Sequence, residues 1–310
     1  MPRIGFIGCH EVSFHCLKKI SNLSLQYGDT IEIVFDLLPE KAAKHSASIS
    51  LNPLQKEFQF PLFHINSVTD LENVQLLQQA KLDILFIVGW HRIVPQLILD
   101  QAKLCLGLHA SLLPKDRGSS PINWQLIRGD SKGGVTLFHL STGVDSGPIV
   151  ASKEYNISPN DNVRTVYYKT IINCLKLLEE NWNDIHNLNP KKIQQDDSKA
   201  TINERRRPSD GLIDWSKNSL SCYNWIRALT NPYPGAFTYW KGKKILIWES
   251  KISQYKETKI GEILEADEKI IVSTGIGSLE LLILQVEDEP ICSGELFCKS
   301  YGLQKGDILK

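Results

Sequence analysis

The chain has 310 residues, 42% hydrophobic and 23% charged, with 35 Lys and Arg against 35 Asp and Glu. A net charge of zero leaves no global field to draw in nucleic acid or an anionic membrane, and the longest apolar runs fall short of the roughly 18–20 residues a bilayer span needs. Seven scattered cysteines with no C-x-x-C pair read as reduced thiols rather than a disulfide framework or a metal site, so the expectation is a cytoplasmic globular protein of about two domains, without metal.

Taken in order, Arg3 to Gly8 reads as a strand with no leader before it, and Phe14, Leu17 and Ile20 mark the helix that follows. Gly5 and Gly8 alone do not make a full dinucleotide fingerprint, which argues against a nicotinamide-dependent oxidoreductase. Thr30 to Phe35, Phe60 to Ile65 and Asp83 to Val88 are further strands, with a helix from Val68 to Ala80. The unbroken apolar run before Gly89 suits the middle of a parallel sheet. Pro95 opens the next helix. After Leu104 to Leu108, Pro121 to Arg128 is a short helix, Val135 to Leu140 and Ile149 to Tyr155 are strands, and Asp161 is expected to cap a long helix whose apolar stripe runs to Trp182. Strand–helix alternation to this point indicates a Rossmann-like, doubly wound parallel sheet. The polar stretch 187–201 reads as a surface linker. Past Arg205-Arg206-Arg207, which could offer bidentate donors to phosphate or simply lie solvated, short strands recur and suggest a small β-rich, OB-like domain. The expected organisation is residues 1–200 and 205–310.

The chemistry concentrates at two loops. The run 104–108 delivers His109 to a loop rich in Pro, Gly and Ser, at the kind of strand end where open α/β sheets bind ligands. Asp145 follows in the loop from Ser141 to Pro148. A carboxylate beside an imidazole can fix its tautomer and support general-base work. On pattern alone, a histidine after a strand and an aspartate in a turn are also what structural residues look like.

HASLLPKDRGSSPINW, followed by GVTLFHLSTGVDSGPIVA, resembles the signature of the formyltransferases that use 10-formyltetrahydrofolate. Further matching pieces are IDW, IRALTNPYPGAFTYW and KILIWES. The resemblance implies a catalytic His109 and Asp145. It implies a folate site at Val88, Gly89, Trp90, Arg92, Ser111, Leu113, Pro114 and Val144, and contacts to the second substrate from Lys115, Arg117 and Trp124. One position departs from the pattern. The family carries an Asn two residues before the histidine, and here Gly107 stands in its place. Losing such an oxyanion donor costs about 2.7–4 kcal/mol, or roughly 100- to 1000-fold in rate. A water in the vacated volume, an imidazolium His109 acting as donor, or loss of activity would each account for it.

Two acceptors fit the resemblance. A tRNA binder neutralises many phosphates with clustered bases. Here residues 37–60 carry only Lys41, Lys44 and Lys56, with Glu40 and Glu57 against them. The expected acceptor is therefore the amine of a nucleotide-linked amino sugar, with no nucleic acid or membrane partner. Its diphosphate would meet Lys115, Arg92 or Arg205–Arg207, and the protein would be a homodimer. The alternatives are a methionyl-tRNA formyltransferase and a folate- or nucleotide-binding protein without turnover.

Overall fold

The computed structural model describes residues 1–254 and 259–310. They fall into two compact units. The first comprises 1–121, 132–156 and 168–204; the second comprises 122–131, 157–167 and the described residues from 205 to 310.

The first unit is built on β1 (Arg3–Ile7), α1 (Glu11–Tyr27), β2 (Thr30–Leu37), α2 (Pro39–Ala42), α3 (Asn52–Phe58), β3 (Leu62–Ile65), α4 (Leu71–Ala80), β4 (Leu82–Val88), α5 (Gln96–Leu99) and β5 (Ala102–His109). Next along the chain come β6 (Arg117–Gly118), α6 (Pro121–Arg128), β7 (Lys132–His139), β8 (Ile149–Asn156), α7 (Val163–His186) and β9 (Ile202–Asn203). The seven-stranded sheet has the order β3-β2-β1-β4-β5-β7-β8. Its first five strands are parallel, and six of the seven β4 residues are buried, as a strand covered on both faces requires.

The expected parallel sheet carries two antiparallel strands at one edge. β7 runs antiparallel to β5, pairing His109 with Thr136 and Leu106 with His139, and β8 runs antiparallel to β7. No crossover carries the chain back to the start of β5, so it re-enters the sheet at the end where it left.

Two apolar layers sandwich the sheet. On one face Phe6, Ile84, Phe86 and Leu106 pack with Leu17 and Ile20 of α1 and with Leu177, Leu178 and Trp182 of α7. On the other, Ile33, Phe35, Leu85 and Ile87 pack with Val74 and Leu77 of α4 and with Ile98. The Phe86 and Trp182 rings stack 5.9 Å apart at 8°. Truncating either ring to Ala would cost about 3–5 kcal/mol. Ser13 ties the start of α1 to the end of β4. Its Oγ accepts from the amides of Cys9 and His10 and donates to the Val88 carbonyl at 2.7 Å.

In the second unit, Asn162 rather than Asp161 caps α7. Asn162 Oδ1 accepts from the amides of Arg164 and Thr165, and Asp161 instead closes the preceding turn through the Ser158 amide. The β-rich part contains α8 (Ser219–Leu229), β10 (Ala236–Trp240), β11 (Lys243–Ser253), β12 (Ile263–Ala266), β13 (Ile270–Ser273), β14 (Ser278–Val286), β15 (Cys292–Ser293) and α9 (Gly294–Tyr301). Its strands pair antiparallel throughout. Arg206 does not stand free for phosphate. Its guanidinium lies 4.5 Å from the Trp225 ring centre and 5.2 Å from that of Trp124, and donates to the Asp210 carbonyl. Among the described residues no helix is long and apolar enough to cross a membrane.

Candidate active site

His109 closes β5 with its side chain buried. Its two ring nitrogens meet different partners. Nε2 stands 2.6 Å from the Asp116 carbonyl oxygen, which can only accept, so Nε2 carries a proton and donates. Nδ1 stands 3.5 Å from Asp145 Oδ2. That is an ion-pair distance, beyond the roughly 2.7–3.2 Å of a good N–H···O bond. The tautomer is thus set by backbone, and the nitrogen left to exchange a proton is the one facing the carboxylate.

The two residues on either side of the ring both have left-handed backbones, with φ 58 at Asp116 and φ 46 at Asp145. Such conformations persist where the surroundings over-determine them. The Asp116 amide donates to Thr201 Oγ1 at 2.8 Å. Asp145 Oδ2 accepts from the Gly118 amide at 2.8 Å. Its carbonyl accepts from Gln195 Nε2, also at 2.8 Å, and the same amide group donates to the Gly147 carbonyl at 2.7 Å.

The stretch read as a surface linker is therefore a strap that runs against the His109 loop. Its Ile193 exchanges backbone hydrogen bonds with Ile149 of β8. His139 Nε2 donates to the Lys191 carbonyl. Downstream, β9 pairs parallel with β6, Arg117 against Ile202 and Gly118 against Asn203. Gly118 has φ 91, and a Cβ there would lie 2.7 Å from the Asn203 carbonyl, so glycine meets both the backbone angle and the close approach.

Several expected ligand contacts are placed otherwise. Arg117, expected on the second substrate, is 7% exposed. Its Nε and Nη2 donate to Gln195 Oε1, and Nη2 also pairs with Asp197 at 2.7 Å. Its charge is spent inside the protein. Ser111, expected on folate, is fully buried and donates to the Lys115 carbonyl at 2.6 Å. Leu113 is buried, with its amide on Thr136 Oγ1. Lys115 and Arg92 are exposed, and Arg92 donates to the Asn66 carbonyl. Val144 is 42% exposed. Trp124 belongs to the second unit, beneath Arg206.

At the end of β4 Val88 is buried, while Gly89 and Trp90 just beyond it are half-buried. Strand register sets Val88 beside Leu108, which puts Gly89 and Trp90 at the same sheet end as His109. The indole Nε1 of Trp90 and the Nε2 of His10 are buried without a hydrogen-bond partner. Burial and the neighbouring His45 push the His10 imidazole down to about 4. Buried polar atoms left unpaired are costly.

Gly107 lies two residues before His109, on the same face of β5. A Cβ built on it would stand 2.8 Å from a Leu140 methyl and 3.2 Å from the Phe138 ring. Apolar side chains, not a polar gap, border the position where the family pattern has Asn. Gln195, Asp116 and Thr201 are the residues that sequence reading missed. The signal for them was faint, since a Gln and a Thr in a polar stretch look like linker.

Comparison with known proteins supplies the family. Residues 14–177 match the formyl transferase model and residues 206–302 the formyl transferase C-terminal domain model. The chain is 34% identical over 286 residues to the bifunctional polymyxin resistance protein ArnA of Wigglesworthia glossinidia brevipalpis, covering 91% of this chain but 41% of that protein. It is 31% identical over 317 residues to the methionyl-tRNA formyltransferase of Bacillus velezensis, covering 100% of this chain and 98% of that one. An N-formyltransferase from Helicobacter canadensis, solved with folinic acid and dTDP-3-aminofucose, shares the fold with a TM-score of 0.66. It is 18% identical, over 91% of this chain and 99% of that one. The chain belongs to the formyl transferase family.

Proposed function

We propose that the protein transfers a formyl group from 10-formyltetrahydrofolate to the amine of a nucleotide-linked amino sugar. The observation that carries the transfer step is the divided imidazole, with Nε2 fixed as donor to the Asp116 carbonyl and Nδ1 turned to Asp145 at 3.5 Å. Bound donor would supply an activated formyl carbonyl on nitrogen. His109 Nδ1 accepts the proton the attacking amine must lose, and the Asp145 carboxylate stabilises the imidazolium so formed. The same Nδ1–H then returns the proton to the folate nitrogen as the bond from that nitrogen to the formyl carbon breaks. The loop from Val88 to Trp90 borders the folate ring. Residues 1–200, apart from 122–131 and 157–167, which belong to the second unit, form the catalytic domain, and 205–310 an OB-like one.

The sugar acceptor rests on charge. Bases and acids balance at 35 each, and Arg206 is committed to two indoles, which leaves little clustered charge for a polyphosphate backbone. One observation favours a tRNA acceptor instead: the relative matched over 98% of its own length is a methionyl-tRNA formyltransferase. Incubation with 10-formyltetrahydrofolate and either a panel of amino-sugar nucleotides or methionyl-tRNA, read by mass spectrometry for one added formyl group, separates the two. A formylated sugar nucleotide supports the reading. A formylated methionyl-tRNA overturns the acceptor, and ligand binding without product on either arm overturns the transfer.

A further inference from the structure

We infer that Gln195 is a positioning residue for Asp145, acting on the transfer step through the 145–147 backbone; the inference rests on the formyl-transfer reading above. Its carboxamide is used on both sides. Nε2 donates to two carbonyls of the aspartate loop, those of Asp145 at 2.8 Å and Gly147 at 2.7 Å. Oε1 accepts from Arg117 Nε at 3.1 Å and Nη2 at 2.8 Å. Arg117, with its side chain 8% exposed, is anchored in turn by Asp197 at 2.7 Å.

The chain of contacts is directional. Arg117 holds the oxygen end of the amide, so the nitrogen end can point only at the loop. Asp145 holds a left-handed backbone, φ 46, that a non-glycine residue adopts at some cost. Releasing its carbonyl would let the loop relax and carry Oδ2 away from Nδ1 of His109. The Gly118 amide fixes one carboxylate oxygen but does not fix the backbone that bears it. A shift of about 1 Å at a reacting group can cost on the order of 100-fold in rate.

Two substitutions separate positioning from mere bracing. Gln195→Glu keeps an acceptor for Arg117 and adds charge to that pair, yet it removes the donors to the two carbonyls and sets an anion against them. Gln195→Ala removes both halves. Both variants should lose about 10- to 100-fold in kcat with KM changed less than about 3-fold. The activity of Gln195→Glu relative to wild type should climb as pH falls, because the protonated acid regains one donor. A readout independent of turnover is the NMR titration of the His109 imidazole. Gln195→Ala should move it in the same direction as Asp145→Asn does, since both take the carboxylate from Nδ1 and neither adds a charge. If Asp145→Asn moves the titration and folded Gln195→Ala leaves both it and kcat at wild-type values, the positioning role is overturned. If Asp145→Asn itself leaves the titration unmoved, the His109–Asp145 reading has failed instead.

Discussion

The loop from His109 to Gly118 and the strap from Lys191 to Asn203 meet at Pro114, Asp116, Arg117 and Gly118, yet they announce themselves very differently in sequence. The loop is dense with Pro, Gly and Ser after an apolar strand, and its histidine stands out. The strap is a polar run of ordinary residues, and it supplies Thr201 to the Asp116 amide, Gln195 to the Asp145 carbonyl and Asn203 to the edge at Gly118. The first segment holds the reacting side chain, and the second holds the backbone around it. Chemistry-bearing residues can be found by type, whereas residues that fix a geometry are found only once their distant partners are known.

The sharpest test of this division is on the loop side. His109→Ala removes the proton acceptor and should lower kcat by about 100- to 10,000-fold. Asp145→Asn keeps the loop's shape and the acceptor for Gly118, but removes the charge beside Nδ1, and should cost a comparable amount in kcat with little change in KM. Steady-state kinetics checks both. Loss confined to KM would move His109 from chemistry to binding.

Gly107→Ala should fall well short of these. The new methyl meets the flexible end of Leu140 at 2.8 Å, so the cost is one of packing, about 1–3 kcal/mol in stability, with activity reduced only several-fold. Loss equal to that of His109→Ala would count against the assigned roles. Gly107→Asn combined with Leu140→Ala restores an amide and clears space for it. It should raise kcat about tenfold, part of the roughly 100- to 1000-fold that a well-placed oxyanion donor supplies.

The strap should answer with smaller effects that appear in stability as well as rate. Thr201→Val keeps the shape but strips the acceptor from the Asp116 amide. An amide left unsatisfied in a partly buried site costs about 1–3 kcal/mol. Because the Asp116 carbonyl sets the His109 tautomer, kcat should drop several-fold as well. A thermal melt and a kinetic trace on the same sample decide whether the two losses travel together.

Much of the first unit was legible because its information is local. The strand read from Asp83 to Val88 is apolar without alternation from Ile84 on, and the structure buries that part on both faces. The stripe ending at Trp182 falls where Phe86 stacks on it. What failed was non-local. The antiparallel turn of β7 depends on where the chain re-enters the sheet, which no periodicity of the strand itself records. Arg117 is a charged residue in a loop, and nothing nearby says that Gln195 and Asp197, 78 and 80 residues on, will bury it. Gly107 was legible as a departure from a pattern, but its consequence was not, since Leu140 borders it from just past the end of β7.

The smallest expected effect concerns how the strap is fastened at its start. His139 is buried at the end of β7 with Nε2 on the Lys191 carbonyl. Burial holds its imidazole below the ordinary value. The hydrogen bond to Lys191 opposes that, and the nearby Lys192 charge adds to it. A histidine whose folded value is depressed binds fewer protons folded than unfolded, so the stability it contributes is present above the unfolded value, near 6.5, and is lost as pH falls through the folded one. The linked element is the strap, whose next anchor is the pair of hydrogen bonds between Ile193 and Ile149. Amide exchange at these two residues, corrected for intrinsic rates, should therefore lose protection as pH is lowered from 7 toward 5.5. In His139→Gln, which keeps a donor for Lys191 but cannot titrate, the protection should stay level. Parallel loss in both proteins would place the acid sensitivity of the strap elsewhere, and would leave the strap's hold on the His109 loop independent of the imidazole at its root.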